Sequence, residues 1–355
     1  MKLALISYLH GAGGAERQII LLANEMAKRG HHVYLVVLCE NKSQYDIAKE
    51  INVIDLTKVE TSLKFNVINR FCAFKKTIED IRPDITINYN IQGAYFSLLT
   101  GKKICGKVLY SERGDPYDKE YSGFRKILRD ITCANVDALV FQSEGAKNFF
   151  KINKNQKSIV IHNSVTVPQD KFPIAEKRDN RIVTVGRLHP QKNPWLLIDS
   201  FALIAERYPN ISLEFYGDGD LREQLQNKID TLKLSDRIHI YASRKDIFSC
   251  IRTARLFVLS SDFEGMPNAL MEAMALGLPC IAADCRPGGA RTLIDNMKNG
   301  IIVPVRNPKA MAEKISWILD NPLEAETLAN NARMLGVTHT NKVVFDMWDN
   351  FLKTV

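Results

Sequence analysis

Residues 3–16, Leu3-Ala-Leu-Ile-Ser-Tyr-Leu-His-Gly-Ala-Gly-Gly-Ala-Glu16, decide the fold class. The short apolar run over 3–8 reads as a strand buried on both faces. A glycine-rich loop over 10–14 follows, then a helix over 15–29 that Gly30 stops, then a second buried strand over 33–38. That is a βαβ unit, which implies a parallel sheet. The pattern continues, with further buried strands read at 85–88, 108–110, 138–142 and 158–161 and helical stretches between them. Over 166–180 the alternation lapses into a polar, proline-containing stretch, read as a linker. A second series then begins, with strands at 182–185, 212–216, 238–241, 256–260, 279–282 and 301–304. The fold class is therefore α/β with two doubly wound halves, and ligands in such sheets bind beyond the carboxyl ends of the strands. A chain of 355 residues exceeds what one core usually serves, which agrees with two domains.

Near the end, Val343, Val344, Met347, Trp348 and Phe351 have the spacing of an amphipathic helix over about 341–355. It must dock somewhere, either on the first half or on its own.

Apolar residues at 46% and charged residues at 25% match ordinary globular proteins and argue against disorder. The seven cysteines are scattered, without Cys-x-x-Cys spacing or a metal-ligand cluster, so a reduced, cytoplasmic compartment is expected. Lys2 with the apolar run over 3–9 is at the short limit for a secretory signal and leads into the glycine loop and a charged helix rather than a cleavage site, so it is read as the first strand. No stretch approaches the roughly 18 apolar residues that span a bilayer, so membrane contact is expected to be peripheral. Charge is uneven: residues 1–168 hold 24 Lys and Arg against 17 Asp and Glu, whereas 169–355 hold 24 against 23. Each basic residue near anionic lipid contributes about 1 kcal/mol, so peripheral contact with the cytoplasmic face of an anionic membrane fits this excess. Nucleic acid fits less well, since no recognised motif and little aromatic interleaving accompany the charge, and a solvated basic face is the default.

Two motifs carry chemistry. In Glu264-Gly-Met-Pro-Asn-Ala-Leu-Met-Glu272, Pro267 suits the first helical position, which puts Glu264 in the preceding loop and Glu272 on the helix. Carboxylates accept from sugar hydroxyls, and the free N–H groups of a helix start attract phosphate, so the backbone of Gly265, Met266, Pro267 and Asn268 would suit a sugar nucleotide. In Arg181-Ile-Val-Thr-Val-Gly-Arg187-Leu-His-Pro-Gln-Lys192, Gly186 makes a turn after a strand, and two cations follow it. A guanidinium fork and a mobile ammonium would together neutralise a diphosphate leaving group. Taken singly, each of these side chains is more often a surface residue.

Weaker features surround them. Gly11, Gly13 and Gly14 permit close backbone approach between the first strand and its helix, favouring an anion or sugar, though a bare strand-to-helix turn uses the same residues. Only Glu40 stands near the end of the second strand as a ribose-reading acid, which makes a nicotinamide enzyme a minor alternative. Asp218 and Asp220 are read as caps of a helix over 221–233, with Gly217 and Gly219 letting backbone near a nucleotide and no metal expected.

Glu264 with Glu272, Gly186-Arg187 with Lys192, the glycine loop, Tyr216-Gly-Asp-Gly-Asp-Leu-Arg222 and Pro287-Gly-Gly-Ala290 together resemble glycosyltransferase family 4, over nearly the whole chain. These are retaining enzymes of the two-domain GT-B fold, with two Rossmann-like domains facing across a cleft, and the nearest in character are bacterial enzymes that build capsule, O-antigen or lipid-linked oligosaccharide. The resemblance implies an acceptor-binding domain over 1–170, with the last helix crossing back to it, and a nucleotide-sugar domain over 180–340. It implies transfer of a hexose-type sugar from a UDP- or GDP-sugar to a hydroxyl of a growing, lipid-linked glycan, with no metal and no tightly bound cofactor. Arg187 and Lys192 would hold the diphosphate, Glu272 the ribose, and Glu264 the donor sugar. Gly13, Gly14, Gly186 and Gly217 would give backbone access. In the front-face route of this family the leaving phosphate takes the acceptor proton, which suits a site of cations without an acid/base pair. Where relatives often have Glu-His, this chain has Glu112-Arg113, a permanent cation. Another sugar-nucleotide enzyme such as an epimerase, and a non-catalytic binder, are the alternatives. Ala at Lys192 or Glu272 is expected to weaken donor binding with little change in melting temperature.

Overall fold

Seven strands in the first half pair only in parallel. In the computed structural model they are β1 (Lys2–Ser7), β2 (His32–Val37), β3 (Asn52–Asp55), β4 (Ile85–Asn88), β5 (Lys107–Ser111), β6 (Ala138–Phe141) and β7 (Lys157–Val160). Their order is β3-β2-β1-β4-β5-β6-β7. Residues 1–11, 13–59, 66–118, 121–154, 156–168 and 170–355 are described; Ala12 of the glycine loop and Gln169 of the expected linker lie outside them. β1 lies mid-sheet, with Leu5 opposite Leu35 on one side and Ile87 on the other. Leu3, Ala4, Leu5 and Ile6 have no exposed surface.

Helix Gly14–Lys28 and the final helix Asn341–Thr354 cover one face of this sheet, in a core that includes Ile19, Leu22, Val344, Phe345 and Trp348. Helices Val67–Ile81, Ile91–Thr100 and Phe124–Asn135 cover the other, with Phe74, Ile78, Phe96 and Cys133.

The second series gives β8 (Asp179–Val185), β9 (Ser212–Tyr216), β10 (Ile238–Tyr241), β11 (Ala254–Leu259), β12 (Cys280–Ala283) and β13 (Ile301–Val303), all parallel, in the order β10-β9-β8-β11-β12-β13. Two apolar clusters cover its faces. One gathers Leu197, Phe201, Phe215 and Ile315; the other gathers Val183, Phe257, Leu270 and Met274.

By contacts, the chain divides into one unit of Met1–Ser164 with Lys342–Val355 and another of Val165–Asn341. The stretch read as linker enters the second unit early, because Val165 and Val167 are buried in its core and Phe172 packs against that core. β3 is a strand that the sequence reading lacks. It lies at the sheet edge with β2 as its neighbour, and Asn52 and Val53 are exposed, so no buried apolar run announces it. Both sheets reverse strand order once, between β1 and β4 and between β8 and β11. Those switch points open crevices at the carboxyl ends of the strands.

Candidate active site

The β8/β11 switch point gathers the second motif and half of the first. β8 ends at Val185, and the loop that follows is tied down on both sides. The N–H groups of Gly186 and Leu188 donate to the carbonyls of Tyr216 (3.0 Å) and Asp218 (2.9 Å). From the end of β11, the Ser260 hydroxyl donates to the Lys192 carbonyl (2.8 Å), and the Asp262 N–H donates to the Gln191 carbonyl (2.9 Å). Gln191 returns a bond from Nε2 to the Phe263 carbonyl (3.0 Å). Asn193 takes a left-handed conformation at φ 43°, caps helix Pro194–Ala202 through the Leu196 N–H, and donates from Nδ2 to Asp262 (2.8 Å).

So held, Lys192 directs its ammonium onto Oε1 of Glu264. The same oxygen accepts from the Ser261 hydroxyl (2.8 Å), and the Glu264 N–H donates to the Arg286 carbonyl (2.8 Å). Glu264 is buried, at 7% exposure. An open pocket lies beside this pair, lined by Gly186, Arg187, Lys192, Tyr216, Ser260 and Ser261 among others. Arg187 is exposed, and its guanidinium makes no hydrogen bond or ion pair among the described residues. One cation is thus seated before any ligand arrives, and the other has all its donors available.

The glycines here answer to neighbouring backbone. A Cβ at Gly217 would fall 1.9 Å from the Gly186 carbonyl oxygen, and one at Gly219 would fall 2.3 Å from that of Leu188. The turns after β8 and β9 therefore touch main chain to main chain. Gly217→Ala is expected to push the Gly186 turn off its position and weaken nucleotide-sugar affinity at least about tenfold, by titration calorimetry. Unchanged affinity would show that the turn has room to yield.

Two readings of this region are corrected. Helix Arg222–Thr231 has no side-chain cap, so Asp218 and Asp220 do not cap it. Asp218 instead accepts from the Ser243 N–H (2.9 Å) and from Arg222 (3.2 Å). The Ser243 bond, followed by Arg222, holds its carboxyl below the usual range. Pro267 is not the first helical residue either. Its ψ of 95° places it at the cap of helix Asn268–Ala275, where its carbonyl accepts the first helical bond, from Met271 (3.1 Å). That loop is pressed from behind, since a Cβ at Gly289 would lie 2.1 Å from the Gly265 carbonyl oxygen. On the helix, Asn268, Ala269 and Glu272 form the half-exposed side, while Leu270, Met271, Ala273 and Met274 are buried. Met266 is buried with them.

Sequence reasoning missed Ser261, Asp262 and Asn193, which orient Lys192 and Glu264. The available signal was the abrupt change from Phe-Val-Leu259 to Ser-Ser-Asp262 at the end of a buried strand. Among the described residues, no group of three or more His, Cys, Asp or Glu is placed to hold a metal ion.

In the first unit, Gly13 precedes helix Gly14–Lys28 and Gly14 opens it. The Glu16 carboxylate accepts from the N–H groups of His10 and Gly11 (2.9 Å each), so these two donors of the glycine loop already have an anionic partner. Arg113 follows β5, lying 4.2 Å above the Tyr89 ring and donating to the Tyr89 hydroxyl (2.9 Å) and to Asn163 (3.2 Å). Its neighbour Glu112 is buried, and burial pushes its carboxyl up despite bonds from the Gly114 N–H and the Tyr110 hydroxyl (2.9 Å each).

Comparison with known proteins identifies the family. Residues 12–167 match the Glycosyltransferase Family 4 model, and residues 167–334 match that of Glycosyl transferases group 1. An uncharacterized glycosyltransferase of Haemophilus influenzae is 25% identical over 98% of both chains. A relative from Campylobacter jejuni, named as an α-1,4-N-acetyl-D-galactosaminyltransferase acting on a diphosphate-undecaprenol-linked glycan, is 23% identical over 94% of this chain and 93% of its own. Among solved structures, HepE of Anabaena with UDP and glucose superposes with a TM-score of 0.82 over the whole of both chains at 18% identity. The chain belongs to the family 4 glycosyltransferases of GT-B fold.

Proposed function

We propose that this enzyme transfers a sugar, with retention, from a UDP- or GDP-sugar to a hydroxyl of a growing, lipid-linked bacterial surface glycan. The observation that carries this is the seating of Lys192 against Glu264 at the β8/β11 switch point, with Arg187 exposed on the same loop. Arg187 and Lys192 hold the diphosphate, Glu272 accepts from the ribose, and Glu264 with the backbone of Gly265–Asn268 positions the donor sugar. Gly186 and Gly217 bring main chain to the diphosphate, and Gly13 and Gly14 offer it to the transferred sugar. The C1–oxygen bond to the diphosphate breaks, the acceptor oxygen bonds to C1, and its proton passes to the departing phosphate. The cations supply the charge neutralisation, so the reaction is metal-independent. The first unit takes the acceptor and the second the donor. Support for a lipid-linked acceptor comes from the Campylobacter relative named for an undecaprenol-linked substrate.

A thermal-shift screen against UDP-, GDP-, ADP- and CMP-sugars and NAD(H) tests this. A donor at a hundred times its Kd stabilises the folded state by about 2.7 kcal/mol, so one nucleotide-sugar class is expected to raise the melting temperature. A shift with NAD(H) alone would overturn the reading. Conversion of the sugar nucleotide without acceptor would mark an epimerase, and binding without turnover a non-catalytic binder.

A further inference from the structure

Arg113 is a cation seated among neutral groups. It stands two residues beyond β5, and the residues around it stand just beyond the neighbouring strands, Tyr89 after β4, Gln142 after β6 and Asn163 after β7. These four strands run parallel, so all four residues share the carboxyl edge of the first sheet, where sheets of this kind bind their ligands. The guanidinium donates to the Tyr89 hydroxyl and to Asn163, which is itself hydrogen-bonded to Gln142 (2.5 Å). It also lies over the Tyr89 ring, which stacks in turn with buried Trp348.

No carboxylate neutralises this charge. Arg113 makes no ion pair among the described residues, and its Nε is buried without a hydrogen-bond partner. Glu112, its neighbour in the chain, turns its oxygens to the Gly114 N–H and the Tyr110 hydroxyl instead. Burial lowers the basicity of the guanidinium, and Tyr89 and Glu112 oppose that only in part. The Tyr89 hydroxyl is in a like position. Tyr89 is 6% exposed, its oxygen accepts from Arg113, and its own proton meets no acceptor among the described residues. Two donors, one of them charged, thus stand 2.9 Å apart with no anion between them. A desolvated charge without a counter-charge is costly, and packing alone would be served by an apolar side chain.

We propose that Arg113, with the Tyr89 hydroxyl, is the specificity-determining residue for a carboxylate-bearing sugar at the end of the acceptor glycan. A single guanidinium among neutral groups matches a single negative charge, and its planar fork matches the two oxygens of a carboxylate. The excess of Lys and Arg over residues 1–168 attracts the same sign of ligand. The inference rests on the reading of the first unit as the one that takes the acceptor.

The test measures binding to the full-length protein by saturation-transfer NMR titration at matched ionic strength. The probes are methyl glucuronoside against methyl glucoside, standing for the glycan end, and UDP-glucuronate against UDP-glucose. The glucuronoside is expected to bind at least about tenfold more tightly than the glucoside. Arg113→Met is expected to abolish that preference and Arg113→Lys, which keeps the charge but not the fork, to retain part of it. Tyr89→Phe, which keeps the ring, should reduce it about three- to tenfold. Because Arg113→Met also removes an unneutralised charge, it should melt no lower than the parent. Equal binding of the two glycosides would overturn the inference, as would a preference that survives Arg113→Met or one confined to the nucleotide pair. Should Arg113→Met fail to fold, an unchanged preference in both Arg113→Lys and Tyr89→Phe would overturn it equally. In each case a sugar nucleotide that still raises the melting temperature would leave the transferase reading standing.

Discussion

Lys192→Ala is expected to lower kcat/KM for sugar transfer by about two to three orders of magnitude, the usual cost of removing one preorganised group that meets charge as it develops on a leaving oxygen. The lysine is not a loose surface cation. Its carbonyl is held by Ser260, its neighbours Gln191 and Asn193 are held by Asp262 and Phe263, and its ammonium is already turned onto Glu264. Arg187 cannot replace it, because an exposed guanidinium without fixed partners must be ordered at the moment of reaction. The same ion pair changes the expectation for stability. With Lys192 removed, the Glu264 carboxylate stays buried with the Ser261 hydroxyl and loses its counter-charge, which costs about 1–3 kcal/mol. The lower end applies, since Lys192 itself is partly exposed. For a unit of this size that is a fall of roughly 2–6 °C. The double variant Lys192→Met with Glu264→Gln removes the stranded charge, so it should regain the melting temperature while transfer stays low. Steady-state kinetics with the donor found by thermal shift, beside calorimetric melting of both variants, checks the two effects separately. Full kcat/KM in Lys192→Ala would remove the lysine from the site.

What could be read in the chain divides along a physical line. Strands such as Leu3–Ile6 and Phe257–Leu259 are legible because burial on both faces demands an unbroken apolar run, and the strand-to-loop transitions at Gly186 and Ser260 follow from where those runs stop. β3 is not legible, since an edge strand needs only one neighbour and little burial. Helical preference alone puts Pro267 one residue too far into its helix, because it takes no account of the Gly289 backbone that packs behind the loop. Gly217 reads as backbone access to a nucleotide, but no local pattern records that the carbonyl of Gly186, thirty-one positions earlier in the chain, lies where its Cβ would fall. Arg187, Lys192 and Glu264 could be named from spacing, but their mutual geometry rests on Ser260 with Lys192 and Asn193 with Asp262, contacts across about seventy residues that no local pattern records.

The last helix offers the second large effect, and here the outcome is stability. Trp348 is among the largest fully buried side chains, seated in the core of the first unit although it follows the whole of the second in sequence. Its ring stacks with Tyr89 at 6.3 Å, and the Arg113 guanidinium lies 5.6 Å from it. Trp348→Ala is expected to cost about 3–5 kcal/mol, since the core it shares with Leu5, Leu35 and Ile87 is walled by strands that cannot collapse into the space left. That corresponds to a fall in melting temperature on the order of 10 °C. Trp348→Phe, which keeps an aromatic surface against Tyr89, should lose less than half of this. The substitution lies outside the unit that carries Arg187, Lys192 and Glu264, so nucleotide-sugar affinity measured well below the new melting temperature should remain at the parent value while the protein melts early. A melting temperature within about 1 °C of the parent would show that the helix contributes little to that core.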